Sequence, residues 1–351
     1  MPAKQLLGIQ ILRFIAAMLV VIMHTTEAIS VRITGAGPDH YWSSGAIGVD
    51  IFFVISGFVM AMSTAKLPTD YKIHFYSAWI FMKRRLIRVV PLYWFYTFLK
   101  TALVLILPSL ALRTSIDPDH LLASLFFIPA ISPWGMVQPT LPVGWTLNFE
   151  MLFYIVFSIA IAFGTARIRF CFIFFLIIFF AAQVFSEYAA LKFYGQSLLF
   201  EFILGMSIAH LYIKYPYAPP KIGLIVGIIG VILILSINWK DLLYGFSTWE
   251  VGAGFTVLVV VWIEPWIVRF RLASKMSFLG DCSYSIYLSH TFIVPFGVLV
   301  LKNLGFQESI IIIPLISLAV IAGGFLSYKF IELPMITILN KAFFKRPVYS
   351  L

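Results

Sequence analysis

Residues 6–29 read LLGIQILRFIAAMLVVIMHTTEAI, an apolar run interrupted by Arg13 and His24. The run exceeds the roughly 20 residues that carry an α-helix across a bilayer. It is too long for a signal-peptide core, holds two ionisable groups and has no small-residue cleavage site after it. It reads as a first transmembrane helix, and the rest of the chain repeats its character. Of 351 residues, 61% are hydrophobic and 11% charged, with a mean hydropathy of +0.98. Soluble domains are nearer a quarter charged, and 35 Phe with 9 Trp exclude a disordered chain. Comparable runs lie near 45–63, 89–112, 143–164, 168–187, 196–213, 221–238, 250–268, 279–302 and 309–331. The expected fold is all-α: a polytopic integral membrane bundle of about ten transmembrane helices.

The connectors are polar or rich in Pro and Gly, as in Thr34-Gly35-Ala36-Gly37-Pro38-Asp39 and Pro216-Tyr217-Ala218-Pro219-Pro220. Residues 120–144 hold an apolar patch (121–131) too short to span and broken by Pro129, Pro133, Pro139 and Pro142, which reads as a re-entrant or interfacial loop. With ten spans and Lys4 in the cytosol, the inner side collects Lys4, Lys66, Lys72, Lys83, Arg84, Arg85, Arg88, Arg167, Arg169, Lys214, Lys221, Arg269, Arg271, Lys275, Lys341, Lys345 and Arg346. The outer side collects only Arg32, Arg113, Lys192, Lys240 and Lys302. This positive-inside asymmetry places both termini in the cytoplasm, and it accounts for the net charge of +10 without a nucleic-acid partner. Cys171 and Cys282 then lie near cytosolic helix ends, where thiols stay reduced. Residues 1–335 are expected to form one transmembrane domain and 336–351 a short basic cytoplasmic tail, with no internal repeat and no fused soluble domain.

Ionisable groups inside a span are costly and point to function. Eleven helical steps lead from Arg13 to His24, which returns a helix to within about 20° of its start over a rise of about 16 Å. The two side chains share a face, one toward the cytosolic end and one toward the outer end. Asp50, Glu150 and Glu201 each lie about five residues inside the outer end of a span, near the depth of His24. A His with nearby carboxylates equips either a general base with its orienting partner or a proton relay in a transporter. Asp50 is the first candidate to meet His24, and Glu150 the second. In the span at 279–302, Ser283, Tyr287 and His290 follow i, i+4, i+7 and line one face, suited to a polar tunnel or to hydrogen bonds between helices.

Ahead of the third span, Lys83, Arg84, Arg85 and Arg88 place four cations within six residues. Such a cluster suits the phosphates of a nucleotide-like donor or of anionic membrane lipids. His40, His74, His120 and His210 fall in loops or near a helix end and carry no assigned chemistry. There is no GxSxG, HExxH, P-loop or GxGxxG, so a hydrolase, kinase or dinucleotide module has no support, and no metal is implied.

These residues resemble the acyltransferase 3 family of polytopic membrane O-acyltransferases over essentially the whole chain. Arg13 and His24 match its R-x10-H motif. The stretch Gly48-Val49-Asp50-Ile51-Phe52-Phe53-Val54-Ile55-Ser56-Gly57-Phe58 looks like its GV-x-x-FF-x-x-SGF signature, and Arg85 with Arg88 its RxxR, followed by Pro91 and Tyr93. Trp145-Thr146-Leu147-Asn148-Phe149-Glu150-Met151-Leu152-Phe153-Tyr154 resembles W-[ST]-L-x-x-E-x-x-FY. Ser285-Ile286-Tyr287-Leu288-Ser289-His290 and Ile331-Glu332-Leu333-Pro334 look like the late YSIYLxH and E-x-P elements.

The resemblance implies transfer of an acyl group, commonly acetyl, from cytosolic acyl-CoA to a hydroxyl of an extracytoplasmic polysaccharide or glycolipid. It implies that Arg85 and Arg88, with Arg84 beside them, hold the CoA phosphates and that Arg13 helps to place the donor. His24 would be general base or transient acyl carrier, with Asp50 or Glu150 orienting it. Ser56, Trp145, Tyr154, Tyr287 and His290 would line the tunnel and substrate path. The opening Gly8-Ile9-Gln10-Ile11-Leu12-Arg13 looks most like the exopolysaccharide and O-antigen acylating subgroup. The implied location is the inner (cytoplasmic) membrane, with membrane lipids, a polysaccharide or lipid-linked glycan acceptor and other cell-envelope glycan assembly proteins as partners. Many relatives carry an extra soluble SGNH-type domain; this sequence ends about 20 residues past its last span, so any second transfer step falls to another protein. The competing reading is a transporter or flippase for lipid-linked sugar or a small anion, which would use the buried charges as a relay and need no CoA site.

Overall fold

A computed structural model describes residues 6–37, 41–65, 67, 71–107, 116–217, 220–235 and 248–344. Outside it lie His40, parts of the spans expected at 89–112 and 221–238, the end of the basic tail, and several cations of the charge asymmetry: Lys4, Lys66, Arg113, Lys240, Lys345 and Arg346. The helices, in chain order, are α1 (Leu7–Ile29), α2 (Ile47–Thr64), α3 (Tyr71–Ile106), α4 (Pro118–Leu125), α5 (Trp145–Ala162), α6 (Arg167–Val184), α7 (Ala189–Tyr194) and α8 (Leu198–Lys214). They continue with α9 (Pro220–Leu235), α10 (Thr248–Trp262), α11 (Glu264–Ile267), α12 (Arg271–Asp281), α13 (Ser283–Asn303), α14 (Ser309–Ser327) and α15 (Leu333–Phe343). Among the described residues the only β pairing is one isolated bridge, Ile131 with Val137.

The described residues form an all-helical fold, and among them seven helical segments are long and apolar enough to cross a membrane: Leu7–Thr34, Ser43–Thr64, His74–Ile106, Pro142–Ala162, Arg167–Val184, Ser283–Asn303 and Ser309–Phe343. At the other three expected spans stand α8, α9 and α10, with 17, 16 and 15 residues. The run at 250–268 is not one helix, because Glu264-Pro265 opens a new short helix after Ile263. A proline near a helix start is tolerated, since its missing N–H has no partner to lose there. The opposite happens at Pro91, where α3 runs unbroken from Tyr71. The basic cluster therefore lies within a helix, not in a loop before one. Of the patch expected as a re-entrant or interfacial loop, residues 121–125 belong to the short helix α4 and the rest is turn and irregular chain; α4 is capped by the Asp117 carboxylate, which accepts from the Asp119 N–H at 3.1 Å.

The chain divides into two compact units. The first holds residues 1–62 and 204–334, the second residues 63–203 and 335–348. In the first, α1 is the central element and packs on α10, α12, α13 and α14. Its Leu12 and Ala16 join Ile51, Val54, Phe58, Val257 and Val261 in one core. Its Ala17 and Val21 join Ile286, Val294, Ile316 and Val320 in another. Glycines let neighbouring backbones close on α1, as small residues do between membrane helices. A Cβ at Gly48 would sit 2.3 Å from the Ala16 carbonyl oxygen, and one at Gly280 2.1 Å from that of Gln10. The start of α1 is fixed by buried Glu264, whose two carboxylate oxygens accept from the Leu7 and Gly8 N–H groups, each at 2.8 Å. That satisfies two of the four free donors of the helix and places negative charge at its positive end.

In the second unit α5 packs between α3 and α6. Its core is aromatic: Phe153, Phe157, Phe175 and Phe202 are fully buried, and the Phe153 and Phe202 rings stack at 4.4 Å. Arg167 ties the start of α6 to the end of α2 by donating to the Thr64 carbonyl at 2.9 Å.

Candidate functional site

The first unit gathers the residues of four motifs. Arg13 and His24 stand on the uninterrupted helix α1, both half-buried, so the shared face expected from their spacing is kept. His24 Nδ1 lies 2.9 Å from Glu27 Oε2, one turn further along the same helix. The His24 ring stacks on that of His290 from α13, with centroids 5.2 Å apart and planes 24° from parallel. His290 is 1% exposed. Tyr287 approaches it at 5.7 Å and in turn meets Phe52 of α2 edge-on at 6.0 Å. Asp50 is buried and Ser56 half-buried on α2.

The sequence points to Asp50 or Glu150 as the carboxylate orienting His24; the structure puts Glu27 on Nδ1. A comparison of depths on different helices passes over it, whereas the spacing His-x-x-Glu, three residues apart on one helix face, is the signal that finds it. The chemical consequence is direct. A carboxylate on Nδ1 holds the proton there, leaves Nε2 as the basic nitrogen and stabilises the imidazolium that follows proton uptake.

Two late motifs also meet in this unit. Ser285 Oγ donates to Glu332 Oε2 at 2.6 Å, with Ser327 Oγ 3.3 Å from Ser285 Oγ, all buried. Glu332 ends a π-helical turn, Tyr328–Glu332, a distortion that recurs at functional sites. Beyond the last turn of α1 a cleft of about 480 Å³ is lined by Thr26, Ile29, Ser30, Thr34, Tyr41, Trp42 and Ser309.

The second unit holds the cationic candidates, and it separates them. Lys83 lies over the rings of Trp79, Phe343 and Phe344 at 5.5, 5.0 and 5.4 Å and donates to the Phe343 carbonyl. Arg84 lies over Phe344 at 5.9 Å. Both therefore dock the C-terminal helix α15. Arg85 turns instead toward Tyr154 and Glu150 of α5 and lies over Phe81 at 5.6 Å. The Tyr154 hydroxyl donates to the Glu150 carboxylate one turn away. Arg88 is half-buried three residues on from Arg85, and Trp145 opens α5 with its ring edge-on to Phe149 at 6.0 Å. Glu201 is buried near the start of α8. Among the described residues no group of three or more His, Cys, Asp or Glu is arranged to hold a metal ion.

Known proteins bear on this geometry in three ways. The family model of the acyltransferase 3 family, described as an acyltransferase domain, matches residues 6–329. The exopolysaccharide production protein ExoZ of Rhizobium meliloti is 35% identical over 73% of this chain and 78% of its own length. A putative O-acetyltransferase of Staphylococcus aureus (strain COL) is 26% identical over 97% of this chain, and the O-acetyltransferase OatA of the same species 26% identical over 84%. The matches span 59% and 53% of those two longer relatives. No solved structure matches. With a family model running through both units and a relative above 30% identity over most of both sequences, one assignment follows: this chain belongs to the acyltransferase 3 family and is a multi-pass membrane O-acyltransferase.

Proposed function

We propose that the protein moves an acyl group, acetyl first among the candidates, from cytosolic acyl-CoA to a hydroxyl of an extracytoplasmic polysaccharide or lipid-linked glycan, with His24 as general base. The observation that carries this reading is the Glu27–His24 pair, which leaves Nε2 as the basic nitrogen on the helix that also bears Arg13. In this mechanism the acceptor oxygen attacks the thioester carbonyl carbon as His24 Nε2 takes its proton. Glu27 offsets the charge on the imidazolium. The carbon–sulfur bond then breaks, and the leaving CoA thiolate takes the proton back from His24. Arg85 and Arg88 bind the donor's phosphates on the cytosolic side, and Arg13 guides the acyl arm along α1. The rise of about 16 Å from Arg13 to His24 is of the order of a pantetheine arm.

The same reading places ten spans in the inner membrane with both termini cytoplasmic, α8, α9 and α10 supplying the three shorter ones. Membrane lipids surround the bundle, and other envelope glycan assembly proteins deliver the acceptor. The name of the ExoZ relative supports an exopolysaccharide as acceptor, and those of the staphylococcal relatives support an acetyl group as cargo. Transfer rather than transport follows from the same names. The test compares glycans from cells carrying the wild type, His24→Ala or no copy of the gene, with membrane levels of the two proteins matched and base-labile ester read by proton NMR. An ester signal restored by the wild type alone is the expected result. Full ester in the His24→Ala cells removes His24 as the base, and equal ester in all three revives the transport reading.

A further inference from the structure

His290 is buried at a cost that its surroundings do not repay. A neutral imidazole carries one N–H donor and one acceptor, and buried groups of this kind are almost always hydrogen-bonded. Here neither Nδ1 nor Nε2 has a hydrogen-bond partner among the described residues, and both are shielded from water. The carbonyls of Ile286 and Tyr287, one turn back on α13, lie close to the ring without meeting hydrogen-bond geometry. The ring faces around it are filled: His24 stacks on it and Tyr287 tilts against it. Had α13 needed only a flat platform for the His24 ring, a phenylalanine would serve without burying two polar atoms. The nitrogens therefore call for a partner that the protein does not itself supply, and the ring stacked on them, His24, is itself partly open to the surroundings.

We infer that His290 is a second catalytic residue, donating a hydrogen bond to the acyl carbonyl oxygen as negative charge develops on it. The inference rests on the transfer reading given above. When the acceptor oxygen bonds to the carbonyl carbon, its proton goes to His24 Nε2 and the carbonyl π electrons move to oxygen. That oxyanion lies one bond from the attacked carbon, so the donor serving it must stand close beside the base. Rings 5.2 Å apart in near-parallel planes set two imidazole edges side by side in this way. Glu27 offsets one positive charge, which falls to His24; His290 works as a neutral donor. The oxyanion then collapses, the carbon–sulfur bond breaks, and the thiolate takes the proton from His24. In a water-excluded site a pre-placed donor of this type is among the largest contributions to rate.

The experiment uses membrane vesicles from expressing cells, radiolabelled acetyl-CoA and the vesicles' own glycan as acceptor, comparing wild type, His24→Ala, His290→Phe and His290→Gln. Protein levels are matched, and thermal unfolding in detergent confirms that each variant is folded. His290→Phe keeps the stacked ring without its nitrogens, whereas His290→Gln restores an N–H. The expected result is a fall in kcat of about 10²- to 10³-fold for Phe, with KM for acetyl-CoA moved less than threefold, and recovery of tenfold or more for Gln. A Phe variant within threefold of the wild type overturns the inference, and so does a folded Gln variant no better than Phe. Loss of transfer in His24→Ala alongside full activity in His290→Phe overturns it while leaving the transfer reading intact. No transfer by the wild type overturns both.

Discussion

The two units handle polar groups in opposite ways. In the first, groups distant in sequence converge: His24 from α1 meets His290 from α13, Ser285 meets Glu332, and Glu264 reaches back to the first turn of α1. In the second, neighbours in sequence diverge. Lys83 and Arg84 cover aromatic rings at the C-terminal end, while Arg85, the next residue, turns to Glu150 and Tyr154. Ser285 with Glu332, and Glu264 with the first N–H groups of α1, gain by meeting, because each unpaired partner would be costly in an apolar setting. Long cationic side chains in the second can lay their stems on aromatic surface and keep their charge at its edge. Cations adjacent in sequence thus face different surroundings, and polar residues far apart in sequence share one.

The largest effect expected from this contrast is at Glu27. Changing Glu27 to Gln removes the charge that offsets the His24 imidazolium while keeping side-chain volume, and kcat for acetyl transfer should drop at least about 100-fold, in line with the loss of the orienting carboxylate in other His–carboxylate pairs. Asp50→Asn is the comparison. If it costs more than Glu27→Gln with protein levels equal, the orienting role belongs to Asp50. Arg85 comes next. Arg85→Ala should raise KM for acetyl-CoA tenfold or more, whereas Arg84→Ala should move it less than threefold. Equal effects at the two positions would restore the cluster as one phosphate site.

The fold was legible in sequence wherever apolar length and buried charge coincided. Residues 6–29 announced a spanning helix with Arg13 and His24 on one face, and α1 has that form. Boundaries were less legible, since proline is ambiguous in a membrane helix: Pro91 lies mid-helix in α3, while Pro265 marks a new start. At the site, His24 and His290 were both visible as buried ionisable groups, but their stacking was not, because periodicity fixes the face of one helix and says nothing of which helix it meets. Glu27 was missed for a different reason. Its contact with His24 is local and was readable from spacing alone, yet a search for carboxylates at equal depth on other helices looks past it. The orientations of Lys83 and Arg84 depend on where α15 ends, and that of Arg85 on which face of α5 meets α3, neither of which a local pattern encodes.

Two smaller effects sharpen the contrast through stability. Glu264→Gln keeps the shape of the clamp on α1 but replaces charge-assisted bonds with neutral ones and leaves one oxygen to accept where two did. The loss should be about 1.5–3 kcal/mol, the usual worth of a hydrogen bond to a charged group, seen as a lower unfolding temperature in detergent. Because α1 carries both Arg13 and His24, transfer activity should fall by more than the folded fraction does.

The smallest effect should be at Lys83. Its ammonium lies within 5.5 Å of three rings, two of them on the C-terminal segment, and the single hydrogen bond to Phe343 is long at 3.4 Å. Exposed cation–π contacts are worth about 0.5–1 kcal/mol, and these share one cation, so their sum is below three separate pairs. Lys83→Met keeps most of the apolar stem and removes the charge. Amide exchange in α15 should then speed up by about two- to fivefold, with kcat and KM unchanged. A change in KM for acetyl-CoA would instead give Lys83 a share in donor binding, and the division between the docking cations and Arg85 would no longer hold.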